Sequence, residues 1–122
     1  MRYLVSLLAA MMLLAGPVQF DRTVFDFGKI SEADGEKSCT FTVTNTSEEP
    51  LSIFAVVTSC GCTAASWTKE TIAPGAAGKI EVTYSNDEGP VAFDKKITVY
   101  TSSQSKPYVL HVKGTVVKKN GK

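Results

Sequence analysis

Beyond residue 20 the chain has no methionine and only two leucines, and its 122 residues include one histidine, one tryptophan and three cysteines. Leucine this sparse excludes a helical bundle, whose packing stripes are built from long unbranched side chains. A lone histidine leaves little for imidazole metal clusters. It is also the base that a cysteine nucleophile would have to meet, and no spacing pairs it with a cysteine. Methionine confined to positions 1, 11 and 12 removes the thioether ligands that Cu(I) sites recruit. No paired carboxylates and no glycine-rich phosphate loop occur, so no enzyme and no small-molecule substrate are expected. Charge of one sign is missing too: with Arg2 set aside, 12 basic residues face 12 acidic ones. Nucleic acid is therefore excluded as a partner, because phosphate binding needs a basic surplus.

What the chain has instead is β-branched residues. Residues 21–122 contain 11 Val, five Ile and 13 Thr, suited to half-buried pleated surfaces. From Thr23 onward the apolar positions alternate with period two. Phe25 and Phe27 share one register, as do Cys39, Phe41 and Val43, then Ile80, Val82 and Tyr84, then Phe93, Ile97 and Val99, then Tyr108, Leu110, Val112, Gly114 and Val116. Leu51 to Thr58 is apolar on both sides and reads as a central strand; Ala65 to Thr68 reads as a short strand with Trp67 in or beside the core. Turn residues separate these runs, at Asp34-Gly35, Asn45-Thr46-Ser47, Pro74-Gly75, Asn86 to Pro90 and Ser102 to Pro107. The prediction is an all-β fold, an immunoglobulin-like antiparallel β-sandwich of about seven strands over residues 21–117. No second cysteine stands opposite Cys39, so the inter-sheet disulfide of antibody domains is excluded.

Residues 1–20 read differently. Arg2 is followed by an apolar run from Leu4 to Ala15, broken by Ser6 and ended by Gly16-Pro17, the pattern of a secretory signal peptide. The run is too short to span a bilayer comfortably. The expectation is export to the periplasm or the extracellular space, with membrane contact only through the leader before cleavage between Gly16 and Asp21. Lys118 to Lys122 reads as a flexible basic tail.

Several of these runs, in order, carry a resemblance: Phe25-Asp26-Phe27-Gly28-Lys29-Ile30, Phe41 to Ser47, Pro50 to Ile53, Thr58-Ser59-Cys60-Gly61-Cys62-Thr63, and Ile72-Ala73-Pro74-Gly75 with Gly78-Lys79-Ile80. Together they resemble the bacterial domain of unknown function 1573 family, itself similar to major sperm protein and cilia-associated immunoglobulin-like domains. The resemblance implies an adhesion or scaffold module that binds a protein or cell-envelope component, with no cofactor. It implies no role for Cys39.

The cysteines carry whatever chemistry there is. In an oxidising compartment Cys39, Cys60 and Cys62 can form at most one intramolecular disulfide, in any of three pairings. A bond from Cys39 would staple the sandwich, whereas one between Cys60 and Cys62 would close almost no loop. Thiolates spaced by a single glycine can also hold a soft metal, making Cys60 and Cys62 candidate ligands. A zinc site adding Cys39 and His111 is opposed by strand phase: Cys39 shares the inward register, and His111 faces outward. The expected geometry gathers all three sulfurs at one pole. Asn45-Thr46-Ser47 fits a glycosylation acceptor formally, but reads as a strand end whose side chains bond the turning backbone.

Overall fold

The computed structural model describes residues 16–118. Residues 1–15, which hold most of the leader assignment, and residues 119–122 of the tail lie outside that range. Eight strands form among the described residues: β1 (Val18–Phe20), β2 (Val24–Ser31), β3 (Lys37–Asn45), β4 (Ile53–Thr58), β5 (Thr63–Trp67), β6 (Ala77–Tyr84), β7 (Ala92–Thr101) and β8 (Gln104–Val117). They make two four-stranded sheets, ordered β1-β3-β6-β5 and β2-β8-β7-β4. The inner faces meet in a core in which Phe41, Val43, Ile80, Val82, Ile97, Val99, Leu110 and Val112 are wholly buried. Burying each such side chain stabilises the fold by about 1.5–3 kcal/mol. The registers expected for these strands are those observed, because a one-residue slip would turn each of these rows to water.

The structure corrects the sequence reading in three places. First, β2 pairs with β8 in parallel, Val24 opposite His111 and Ser31 opposite Val117, so the sandwich is not wholly antiparallel. Alternation reports a strand but not its direction, and the long chain between β2 and β8 supplies the connection that parallel partners need. A bulge between Asp26 and Lys29 shifts the inward phase of β2 from Phe25 and Phe27 to Ile30. Gly28 takes a positive φ of 72° there, its N–H donating to Asp26 Oδ1 at 2.8 Å.

Second, β1 falls inside the 1–20 leader assignment, yet it pairs with β3, and Val18 is buried. Val18 and Phe20 follow the Gly16-Pro17 break in a stretch of only three residues, too short for its alternation to mark a strand. Third, the segment read as a central strand, β4, is the edge of its sheet. Its second apolar row is exposed: Phe54 is 66% exposed and Val57 51%.

Candidate functional site

Cys60-Gly61-Cys62 forms the turn by which the chain passes from β4 in one sheet to β5 in the other. Its backbone is held independently of the sulfurs. Thr63 N–H donates to the Cys60 carbonyl at 3.2 Å, Ser85 N–H to the Cys62 carbonyl at 2.8 Å, and the Thr58 hydroxyl is shared between the carbonyls of Cys60 and Thr63. The two sulfurs are bonded to each other, with their Cα atoms 5.2 Å apart. The Cys62 N–H donates to Cys60 Sγ at 3.1 Å. Both cysteines are half-buried and Gly61 is exposed at the apex.

Cys39 stands apart as a buried free thiol. It enters at the same end of the sandwich, but β6 lies between it and β5: Cys39 pairs with Val82, which pairs on its other side with Ala65. Two strand spacings make about 10 Å, and Cys62 is three residues further along, well beyond disulfide reach of roughly 4.4–6.8 Å. The stapling role expected of Cys39 is therefore corrected. Its inward register makes it a core residue of β3, and β6 stands between it and the turn.

Burial pushes the Cys39 thiol up to about 11. With an ordinary value of 9.0, ionisation alone makes its thiolate about a hundredfold scarcer. In the native protein Cys39 is expected to resist a thiol reagent at pH 8 and to react with one equivalent in denaturant. Rapid labelling of the folded chain would contradict this.

The structure adds a residue that sequence reasoning missed. Glu88, in the turn between β6 and β7, lies beside the two cysteines, with one ligand atom from each of the three within 4.8 Å of the others. Its carboxylate accepts from the Tyr84 hydroxyl at 2.5 Å through Oε1 and from Lys95 Nζ at 3.3 Å through Oε2. These donors hold Glu88 below the usual carboxylate range, the Tyr84 bond contributing most. Burial, followed by the bond to Glu88, raises Tyr84. In sequence, Tyr84 showed only its apolar ring and Glu88 only a polar turn; the i, i+4 spacing across that turn was the available signal.

The other positions singled out in sequence are structural. His111 is on the outer face of β8, its Nδ1 2.7 Å from Asp94 Oδ1. Trp67 is half-buried against the core, with Lys69 Nζ 3.5 Å from its ring centroid. Asn45 is fully buried and bonds the turn that follows it, so its side chain is closed to modification.

The sequence profile of a family described as protein of unknown function (DUF1573) matches residues 18–116. No curated protein matches the chain. Among solved structures, a protein of unknown function from Porphyromonas gingivalis W83 superposes with a TM-score of 0.70 at 20% identity, over 82% of this chain and 46% of that one. The chain thus spans less than half of that protein. The PapD-like domain 7 of human CEP192 matches at TM-score 0.64 and 10% identity, covering 85% of this chain and 87% of that one. WR4, a Caenorhabditis elegans member of the MSP family, matches at 0.58 and 12%, over 84% of this chain and 99% of that one. At such identities the likeness is one of fold.

Proposed function

The chain belongs to the DUF1573 family, and from that premise we propose that it is an exported, non-enzymatic interaction module that binds a protein or cell-envelope component through the β4 edge of its sandwich. The observation that carries this reading is the apolar outer face at that edge. Val57 pairs with Thr98, and Thr98 with Val109, so Val57 and Val109 lie in one cross-strand row. Tyr100, two residues from Thr98, extends the same face, and Phe54 stands out at the bulge between Ile53 and Ala55. Exposed apolar residues gathered on one sheet face in this way mark an interaction surface, whereas isolated ones need no explanation. The edge itself adds unpaired backbone groups, onto which an extended partner segment can add a strand. The apolar leader and the Cys60–Cys62 bond support an oxidising, exported setting.

The test is site-specific photo-crosslinking from position 54 in the native cell. The expected result is one protein adduct, which disappears when Val57→Asp is added. Because Val57 is exposed, that substitution should move stability by no more than about 0.5 kcal/mol while weakening the partner by about 2 kcal/mol, roughly thirtyfold. Absence of any adduct, or one indifferent to Val57→Asp, overturns the reading.

A further inference from the structure

We propose that Cys60, Cys62 and Glu88 form a zinc site that exists only when the disulfide is open, so that the turn between β4 and β5 alternates between an oxidised, metal-free state and a reduced, metal-binding one. The proposal rests on the convergence of two separate turns. One carries both sulfurs and the other the carboxylate, and their ligand atoms already lie within 4.8 Å of one another. Tetrahedral zinc with bonds of about 2.0–2.3 Å sets its donors about 3.3–3.8 Å apart. The sulfurs must therefore separate, and the carboxylate needs only a small approach. Gly61 gives the turn room, since nothing lies within 4 Å of where a side chain on it would sit.

Opening the disulfide leaves the frame intact. The bond spans a sequence separation of two, so it constrains the unfolded chain very little. The backbone bonds from Thr63 and Ser85 and the shared Thr58 hydroxyl hold the turn without it. The Cys62 N–H is already directed at Cys60 Sγ, where it would stabilise a thiolate.

Glu88 is prepared in the same way. The buried Tyr84 phenol fixes Oε1, as outer partners fix ligating groups in metal sites, while Oε2 faces the Lys95 ammonium. Two thiolates and one carboxylate around Zn(II) sum to −1, which Lys95 balances. This mixed donor set selects the metal: Cu(I) prefers sulfur throughout, whereas Zn(II) accepts thiolate and carboxylate together. Three protein ligands leave a fourth position for water.

The chemistry balances with an external dithiol. The Cys60–Cys62 disulfide takes two electrons and two protons from it, yielding two thiols, and the dithiol becomes a disulfide. Zinc binding then releases the two thiol protons.

The experiment uses the protein from residue 16 onward, reduced with a phosphine, freed of reductant without oxygen and titrated with Zn(II) against a chromophoric chelator. One equivalent is expected per reduced chain and none per oxidised chain. Co(II) in place of zinc should give thiolate charge-transfer absorption. Cys60→Ser should abolish binding although Cys39 remains, Glu88→Gln should weaken it at least about tenfold, and Tyr84→Phe should weaken it about tenfold. Circular dichroism of the reduced chain should match that of the oxidised one. A reduced chain that binds no zinc, that binds it equally well as Glu88→Gln, or that has lost its fold overturns the proposal.

Discussion

Tyr84→Ala is expected to destabilise the domain by about 4 kcal/mol, a large share of the roughly 5–15 available to a small domain. Tyr84 is wholly buried, its ring stacked on Phe93 with centroids 3.9 Å apart and planes 14° from parallel. With Ile30, Phe93 and Val116 it forms a cluster of its own beside the main core, and truncation opens a void in that cluster. Tyr84→Phe keeps the ring and removes only the bond to Glu88, at a cost of about 1–2 kcal/mol at neutral pH. The sign of the pH dependence follows from the two shifts. Glu88 is held below its ordinary range, so its contribution is present above the unfolded carboxylate range and is lost as pH falls through the depressed folded value. Tyr84 is raised, so its contribution is full below the unfolded tyrosine value of about 10 and declines as pH rises towards the higher folded one. Denaturant midpoints at pH 7 and pH 3 should show the gap between wild type and Tyr84→Phe closing in acid. A gap unchanged at pH 3 would mean that the phenol–carboxylate bond carries none of it.

Asn45→Ala is expected to cost about 3 kcal/mol. The amide sits at 0% exposure where β3 ends, and it ties together three chain segments. Its Nδ2 donates to the carbonyls of Glu49 at 2.7 Å and Ile72 at 2.9 Å, while Oδ1 accepts from Ser47 N–H at 3.0 Å and Ser47 Oγ at 2.7 Å. Truncation takes one of two donors from each carbonyl, since Ile72 O also accepts from Leu51 N–H and Glu49 O from Ser47 Oγ, leaves the Ser47 N–H without its acceptor and adds a small void. Asn45→Asp should be at least as damaging, because it sets a carboxylate against two carbonyl oxygens with no donor to offer them. Urea unfolding should show a lower midpoint at unchanged slope for both variants. A loss below about 1 kcal/mol would show that water replaces these bonds freely.

The strands were legible because period two is imposed by one buried face, and each register row of β3, β6, β7 and β8 follows it. Asn45 was legible as a turn residue, though not as the buried hub of three segments. Strand direction and edge position were not written in the pattern. The apolar row of Phe54 and Val57 has the composition of a buried face, and only the packing of the two sheets reveals that the described residues leave it exposed. The cysteine turn was visible as three consecutive residues, but its acidic neighbour was not, since Glu88 arrives from the connection between β6 and β7 through a hydrogen bond to a side chain that reads as core. Register placed Cys39 inward with Phe41 and Val43, as found, but it fixes which way a side chain points, not that β6 lies between Cys39 and the cysteine turn.

The parallel pairing of β2 with β8 also determines how the domain bears load. Tension applied between the start of β2 and the end of β8 pulls two strands that run the same way in opposite directions along their axes. The ladder from Val24–His111 to Ser31–Val117 is then stressed along its whole length at once, instead of being peeled open one rung at a time as in a hairpin pulled from its ends. The bulge at Asp26–Lys29 divides that ladder into two blocks of three registered pairs, which share the load in shear.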